Sequence, residues 1–163
     1  MPADPALPNV GAVVLPLLEA VPASVRPRLV ARLERAAAER YDGWAASCRD
    51  AAQAAGLREC ARRERDIASR VDALLALSPD EERRCMEALA PIADAYRAAM
   101  AERPAAEQYA IQAAAERSGA AFWRAVASEA SDARAREAFE SCAELEERSA
   151  AFLEQILARS ATV

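Results

Sequence analysis

The chain has 163 residues, room for one domain with a core, and is 53% hydrophobic with only 5% aromatic residues and four glycines. Alanine, leucine, arginine and glutamate dominate, all good helix formers, and no run of β-branched and aromatic residues is long enough to argue for a sheet, so an all-α protein is expected. The net charge is −5, and the 21 basic residues, all arginine, are interspersed with acids, which argues against a nucleic-acid partner; with no histidine in the chain, a serine–histidine or cysteine–histidine catalytic pair is excluded.

Residues 1–23 carry five prolines and are expected to form a mostly irregular arm, with a short helix at Val10–Glu19 lying on the domain. The stretch "VGAVVLPLLEAV" is too short for a membrane span, contains Pro16 and Glu19, and has Asp4 rather than a basic residue ahead of it. A cytoplasmic protein with no membrane association is therefore expected. Ser24 is a candidate cap for a first long helix, on which Leu29, Leu33, Ala37, Tyr41, Trp44 and Cys48 recur at helical spacing. Gly56 is expected to end or interrupt it. A second helix, from about Leu57, carries Cys60, Ala61, Ile67, Ala68, Val71, Leu74 and Leu75 on its apolar line and stops before "SPDE".

Ser78, Pro79 and Glu81 spell a capping box, opening a helix to about Glu102 that Pro91 is expected to kink or split. Pro104 opens the next helix, roughly 105–128, and Ser131 or Asp132 caps the last, which continues to about Ala158. The expected organisation is an arm (1–23), a first hairpin (24–77), a helical crossover (78–104), a second hairpin (105–158) and a tail (159–163). One long crossover gives a four-helix bundle in which the second hairpin starts at the end where the first began. The four cysteines, Cys48, Cys60, Cys85 and Cys142, form no C-x-x-C pair and read as small buried hydrophobes.

The second half repeats the first. A shift of 82 residues lays Cys60-Ala61 on Cys142-Ala143, Glu64 on Glu146, and Val71, Leu74 and Leu75 on Leu153, Ile156 and Leu157. The same shift lays Glu34-Arg35 on Glu116-Arg117 and Tyr41 on Trp123. Glu34, Glu64, Glu116 and Glu146 each interrupt an apolar stripe, and each hairpin's pair is spaced to meet at mid-bundle. Four buried carboxylates repel one another unless they are protonated, paired with arginine or holding cations. Arg35, Arg117 and Arg148 lie near the stripes as candidate partners. Tyr41, Gln112 and Ser149 are candidates for the surrounding shell, Gln112 one turn before Glu116 and Ser149 one turn after Glu146.

This pattern resembles the ferritin-like superfamily, rubrerythrin-like members most closely, over about residues 24–158. The resemblance implies two helical hairpins joined by a crossover, each giving a Glu from its first helix and a Glu-x-x-His from its second to hold two metal ions. Glu34 and Glu116 match the lone glutamates; Glu64 and Glu146 match those of the Glu-x-x-His pairs. The histidine positions hold Ile67 and Ser149. An all-oxygen donor set remains, suited to Mn²⁺, Mg²⁺, Ca²⁺ or iron. The resemblance implies a divalent-metal protein (iron or manganese) with iron–oxygen chemistry, and the missing imidazoles argue against the latter. The rival is a cofactor-free helical interaction or structural module on the same scaffold. A homodimer through an alanine-rich helical face is compatible with either.

Overall fold

The structure, a computed structural model, describes residues 7, 8 and 10–160; of Val13 it describes the backbone alone. The remainder of the N-terminal arm (1–6 and 9) and the last residues of the tail (161–163) lie outside the described residues. Those described form six helices and no strand: α1 (Val10–Glu19), α2 (Arg26–Ser47), α3 (Ala51–Leu74), α4 (Pro79–Met100), α5 (Ala105–Glu129) and α6 (Ala133–Ser160).

Local chemistry sets the boundaries. Arg26 donates from Nε to the Val21 carbonyl and from Nη2 to that of Glu19, so the start of α2 closes the end of α1. The residue before α2 is Val25, whose side chain is wholly buried, while the Ser24 hydroxyl donates to Glu81 instead of capping. Burial of Val25 outweighs the cap. The break between α2 and α3 falls at Cys48–Asp50 and not at Gly56: Asp50 accepts from the backbone N–H of Gln53 and starts α3. Gly56 lies inside α3, where a Cβ would collide with the Phe152 ring of α6, so its role is a close helix contact. Ser78 and Glu81 form the reciprocal capping box of α4. Pro91 neither splits α4 nor ends it. It lies on the exposed side, as does Glu87, the residue whose carbonyl Pro91 leaves without its helical donor.

The hairpins are α2–α3 and α5–α6, and they meet chiefly where α3 packs on α6. One apolar cluster joins Val30 and Ala31 of α2, Ile67 and Val71 of α3, Trp123 and Ala127 of α5, and Phe139 and Cys142 of α6. A second joins Tyr41 and Ala45, Leu57 and Cys60, Tyr109 and Ala113, and Leu153 and Ile156 of the same four helices. Each cluster takes the beginning of α2 and α6 with the end of α3 and α5, or the reverse. So α3 and α5 run the same way, opposite to α2 and α6, and the chain must travel back along its own length between hairpins. The second hairpin therefore starts at the end opposite to that where the first began, and not at the same end as expected. A hairpin already returns the chain to its starting end, and the crossover carries it away again. The 22 residues of α4 span about 33 Å and make that return. A third cluster, with Val14, Leu29, Cys85 and Ile92, seats α1 and α4 on the outside of α2.

The repeat is written into the caps. Asp50 and Asp132, 82 residues apart, each accept from the N–H three residues on, Gln53 and Ala135. Ala51 and Ala133, at the same shift, begin α3 and α6.

Candidate metal centre

Between the two four-helix clusters lies one layer of acid. Glu34 comes from α2, Glu64 from α3, Glu116 from α5 and Glu146 from α6, with 8%, 0%, 2% and 1% of their surface exposed. The layer exists because each of these four helices sets one glutamate into its apolar stripe, at the same height. Carboxylate oxygens of Glu34, Glu64 and Glu146 lie within 4.8 Å of one another. Glu116 stands beside this trio. Its charge acts on Glu34, Glu64 and Glu146.

Each remaining contact can be assigned. The Tyr41 hydroxyl and Gln112 Nε2 donate to Glu116 Oε1 at 2.8 and 2.7 Å. The Ser149 hydroxyl donates to Glu64 Oε1 at 2.8 Å. Trp123 Nε1 donates to Glu146 Oε1 at 3.1 Å. Gln112 is held in turn by Arg40, whose Nε donates to its carbonyl oxygen at 3.2 Å. Tyr41 and Trp123 occupy equivalent places in the repeat and do related but not identical things: one reaches across to the other hairpin, the other stays within its own.

No arginine joins the acids. Arg35 pairs with Asp72 and Arg117 with Glu154 at the surface, and Arg148 is exposed. Among the described residues none of the four glutamates takes part in a salt bridge. Arg40, with its guanidinium over the Tyr96 ring, 5.1 Å from the centroid, offsets the burial of Glu34 in part from a distance, and Arg63 does the same for Glu64.

The electrostatic result is strained. Burial, then the charge of Glu116, pushes Glu34 up to about 8. Burial and the neighbouring carboxylates also raise Glu64 and Glu146 well above the usual carboxylate range. Two oxygens of the layer, Glu64 Oε2 and Glu116 Oε2, are buried with no hydrogen-bond partner among the described residues. An orphaned carboxylate oxygen in a protein interior is costly, and a divalent cation would satisfy it. The donor set is all oxygen and dense in charge, which fits a hard cation. The cysteines take no part: burial pushes the Cys60 and Cys142 thiols up to about 12.

Sequence reasoning placed three participants incompletely. Trp123, a near-site or packing candidate with packing favoured, donates to a glutamate. Gly119 gives Glu146 its room, since a Cβ there would sit 2.5 Å from Oε1. The third is a cavity of about 670 Å³ bounded by α1, α2, α4 and α5, with Glu34, Glu116 and Glu146 among its lining. It exists because α2 and α5 are bridged by long side chains, Tyr41 to Glu116, Arg40 to Gln112 and Trp44 to Gln108, and do not pack as closely as α3 and α6. No helix among the described residues is long and apolar enough to cross a membrane. Compared with protein-family models, with curated proteins and with solved structures, the chain matches none.

Proposed function

We propose that this chain is a ferritin-like, rubrerythrin-like bundle protein that binds divalent metal at Glu34, Glu64, Glu116 and Glu146. The observation that carries the reading is the buried acid layer, one carboxylate per helix, without an arginine and with two unpartnered oxygens. Four carboxylates match the charge of two divalent ions. Tyr41, Gln112, Ser149 and Trp123 orient the carboxylates and hold fixed the oxygens they touch. With Ile67 and Ser149 where imidazoles would stand, the set favours Mn²⁺ and other oxygen-seeking ions and gives little support to iron–oxygen catalysis. A bound cation supplies neutralising charge and, if its coordination is open, Lewis acidity.

The test is metal analysis of protein purified without chelator, beside a Glu64→Ala/Glu146→Ala double variant. The parent should carry manganese or iron that the variant lacks, and Mn²⁺ should raise the parent's melting temperature by stabilising only the folded form; a hundredfold excess over Kd contributes about 2.7 kcal/mol. Negligible metal in both proteins removes the proposal. A second reading, a cofactor-free helical module, is favoured by the raised acids themselves: Glu34 at about 8 can be neutral and share hydrogen bonds with Glu64 and Glu146 without any cation. It requires a melting temperature indifferent to Mn²⁺ and Fe²⁺.

A further inference from the structure

We propose that the cavity beside the acid layer is a binding site for a small amphipathic organic cation, with its apolar body between α1, α2, α4 and α5 and an ammonium group donating to Glu116. The volume of about 670 Å³ falls within the range of small-molecule sites, roughly 300–1,000 Å³. Val14, Leu18, Leu33, Met100 and Phe122 make much of the wall. Such a surface accepts a hydrocarbon or aryl body and offers it nothing to hydrogen-bond.

The polar end is different. Glu116 lines the cavity and is only 2% exposed, and its Oε1 is filled by Tyr41 and Gln112 while Oε2 has no partner. Glu34 and Glu146 line the same cavity. A neutral apolar guest would leave the Glu116 oxygen unsatisfied, and an anionic guest would meet three carboxylates. Arg40 also lines the cavity, with Nε donating to the Gln112 carbonyl and the guanidinium over the Tyr96 ring, but it is one cation against the three carboxylates that share the wall. An ammonium group supplies both the missing donor and the missing charge. The tightest carboxylate trio, Glu34, Glu64 and Glu146, does not include Glu116, so the site stands on the cavity and this one oxygen and needs no metal.

The experiment uses full-length protein freed of metal with EDTA, titrated at neutral pH with decylamine, decanol and decanoate below their micelle-forming concentrations. Trp44, in the cavity wall, reports binding by fluorescence, and thermal melts report it independently. Decylamine should bind saturably and at least about tenfold more tightly than the other two, as expected for one charge-assisted hydrogen bond. Glu116→Gln should abolish that preference. Leu18→Trp, which fills the cavity and leaves the acids untouched, should weaken all three probes, so the proposal stays testable if the Glu116 variant folds poorly. Equal affinity for the three probes, a preference for decanoate (which would make Arg40 the reading group), or unchanged binding in Leu18→Trp would overturn it. Because metal is absent throughout, neither result depends on whether the acid layer binds an ion.

Discussion

A methyl group at position 119 would lie 2.5 Å from Glu146 Oε1, so the hydrogen of Gly119 is what lets that carboxylate enter the acid layer. Gly119 lies in the interior of α5, where glycine costs up to about 1 kcal/mol of helix stability relative to alanine. The residue therefore trades helix stability for access. Gly119→Ala should displace the Glu146 carboxylate and weaken Mn²⁺ binding at least about tenfold, the usual scale for disturbing a metal ligand's support. The metal-free variant should melt no lower than the parent. Calorimetric titration with Mn²⁺ beside thermal melts in EDTA checks both halves, and unchanged affinity would mean that Glu146 is not a ligand. The four glutamates were legible in sequence because an acid in an apolar stripe is conspicuous at helical spacing. Trp123 was not legible as a donor, because spacing shows that an indole is buried but not which atom its N–H meets. Gly119 was not, because a glycine in a helix looks like a tolerated defect until the approaching carboxylate is seen.

Helix boundaries follow the same divide between local and tertiary signals. The capping box at Ser78 and the cap at Asp132 are local chemistry, complete within four residues, and the sequence displays them. Asp50 is an equally local signal, but Gly56 competed with it, and only the Phe152 ring of the other hairpin explains why a glycine is needed there without a break. Pro91 is tolerated because of the face it occupies, which depends on how α4 lies on the hairpins. One junction remains unfavourable. Glu102, just beyond α4, has φ of 58°, in the left-handed region that a side chain disfavours by about 1–2 kcal/mol. Its side chain is exposed, so nothing packed is lost by removing it. Glu102→Gly should raise stability by up to about 1 kcal/mol while leaving metal binding untouched, as read by denaturant unfolding with an unchanged slope. A loss of stability would show that the crossover leaves α4 by another geometry.

The whole fold keeps four acids in a buried layer between two apolar clusters, and its stability must therefore depend on what neutralises them. In the metal-free protein that role falls to protons. Burial, reinforced by the charge of Glu116, raises Glu34 from 4.5 to about 8, and Glu64 and Glu146 are raised for the same reasons. The folded chain thus holds protons that the unfolded chain has already released, so this contribution is complete below about 4.5 and is lost as pH rises toward and through 8. The exposed acids Glu81 and Glu154, held low by the Ser78 backbone and by Arg117, act only below about 4.5 and leave that window clear. In EDTA the protein should melt at a lower temperature at about pH 8 than at about pH 5.5, against the more usual trend in which paired carboxylates lose stability in acid. On the proposed metal-binding reading divalent ions would replace those protons, so Mn²⁺ should bind more tightly at the higher pH, release protons as it binds, and flatten or reverse the profile. Melts across that range with and without Mn²⁺, together with titrations in two buffers of different ionisation enthalpy, count the protons directly. A profile that is flat in EDTA and unmoved by Mn²⁺ would mean that the acid layer neither stores protons nor exchanges them for metal.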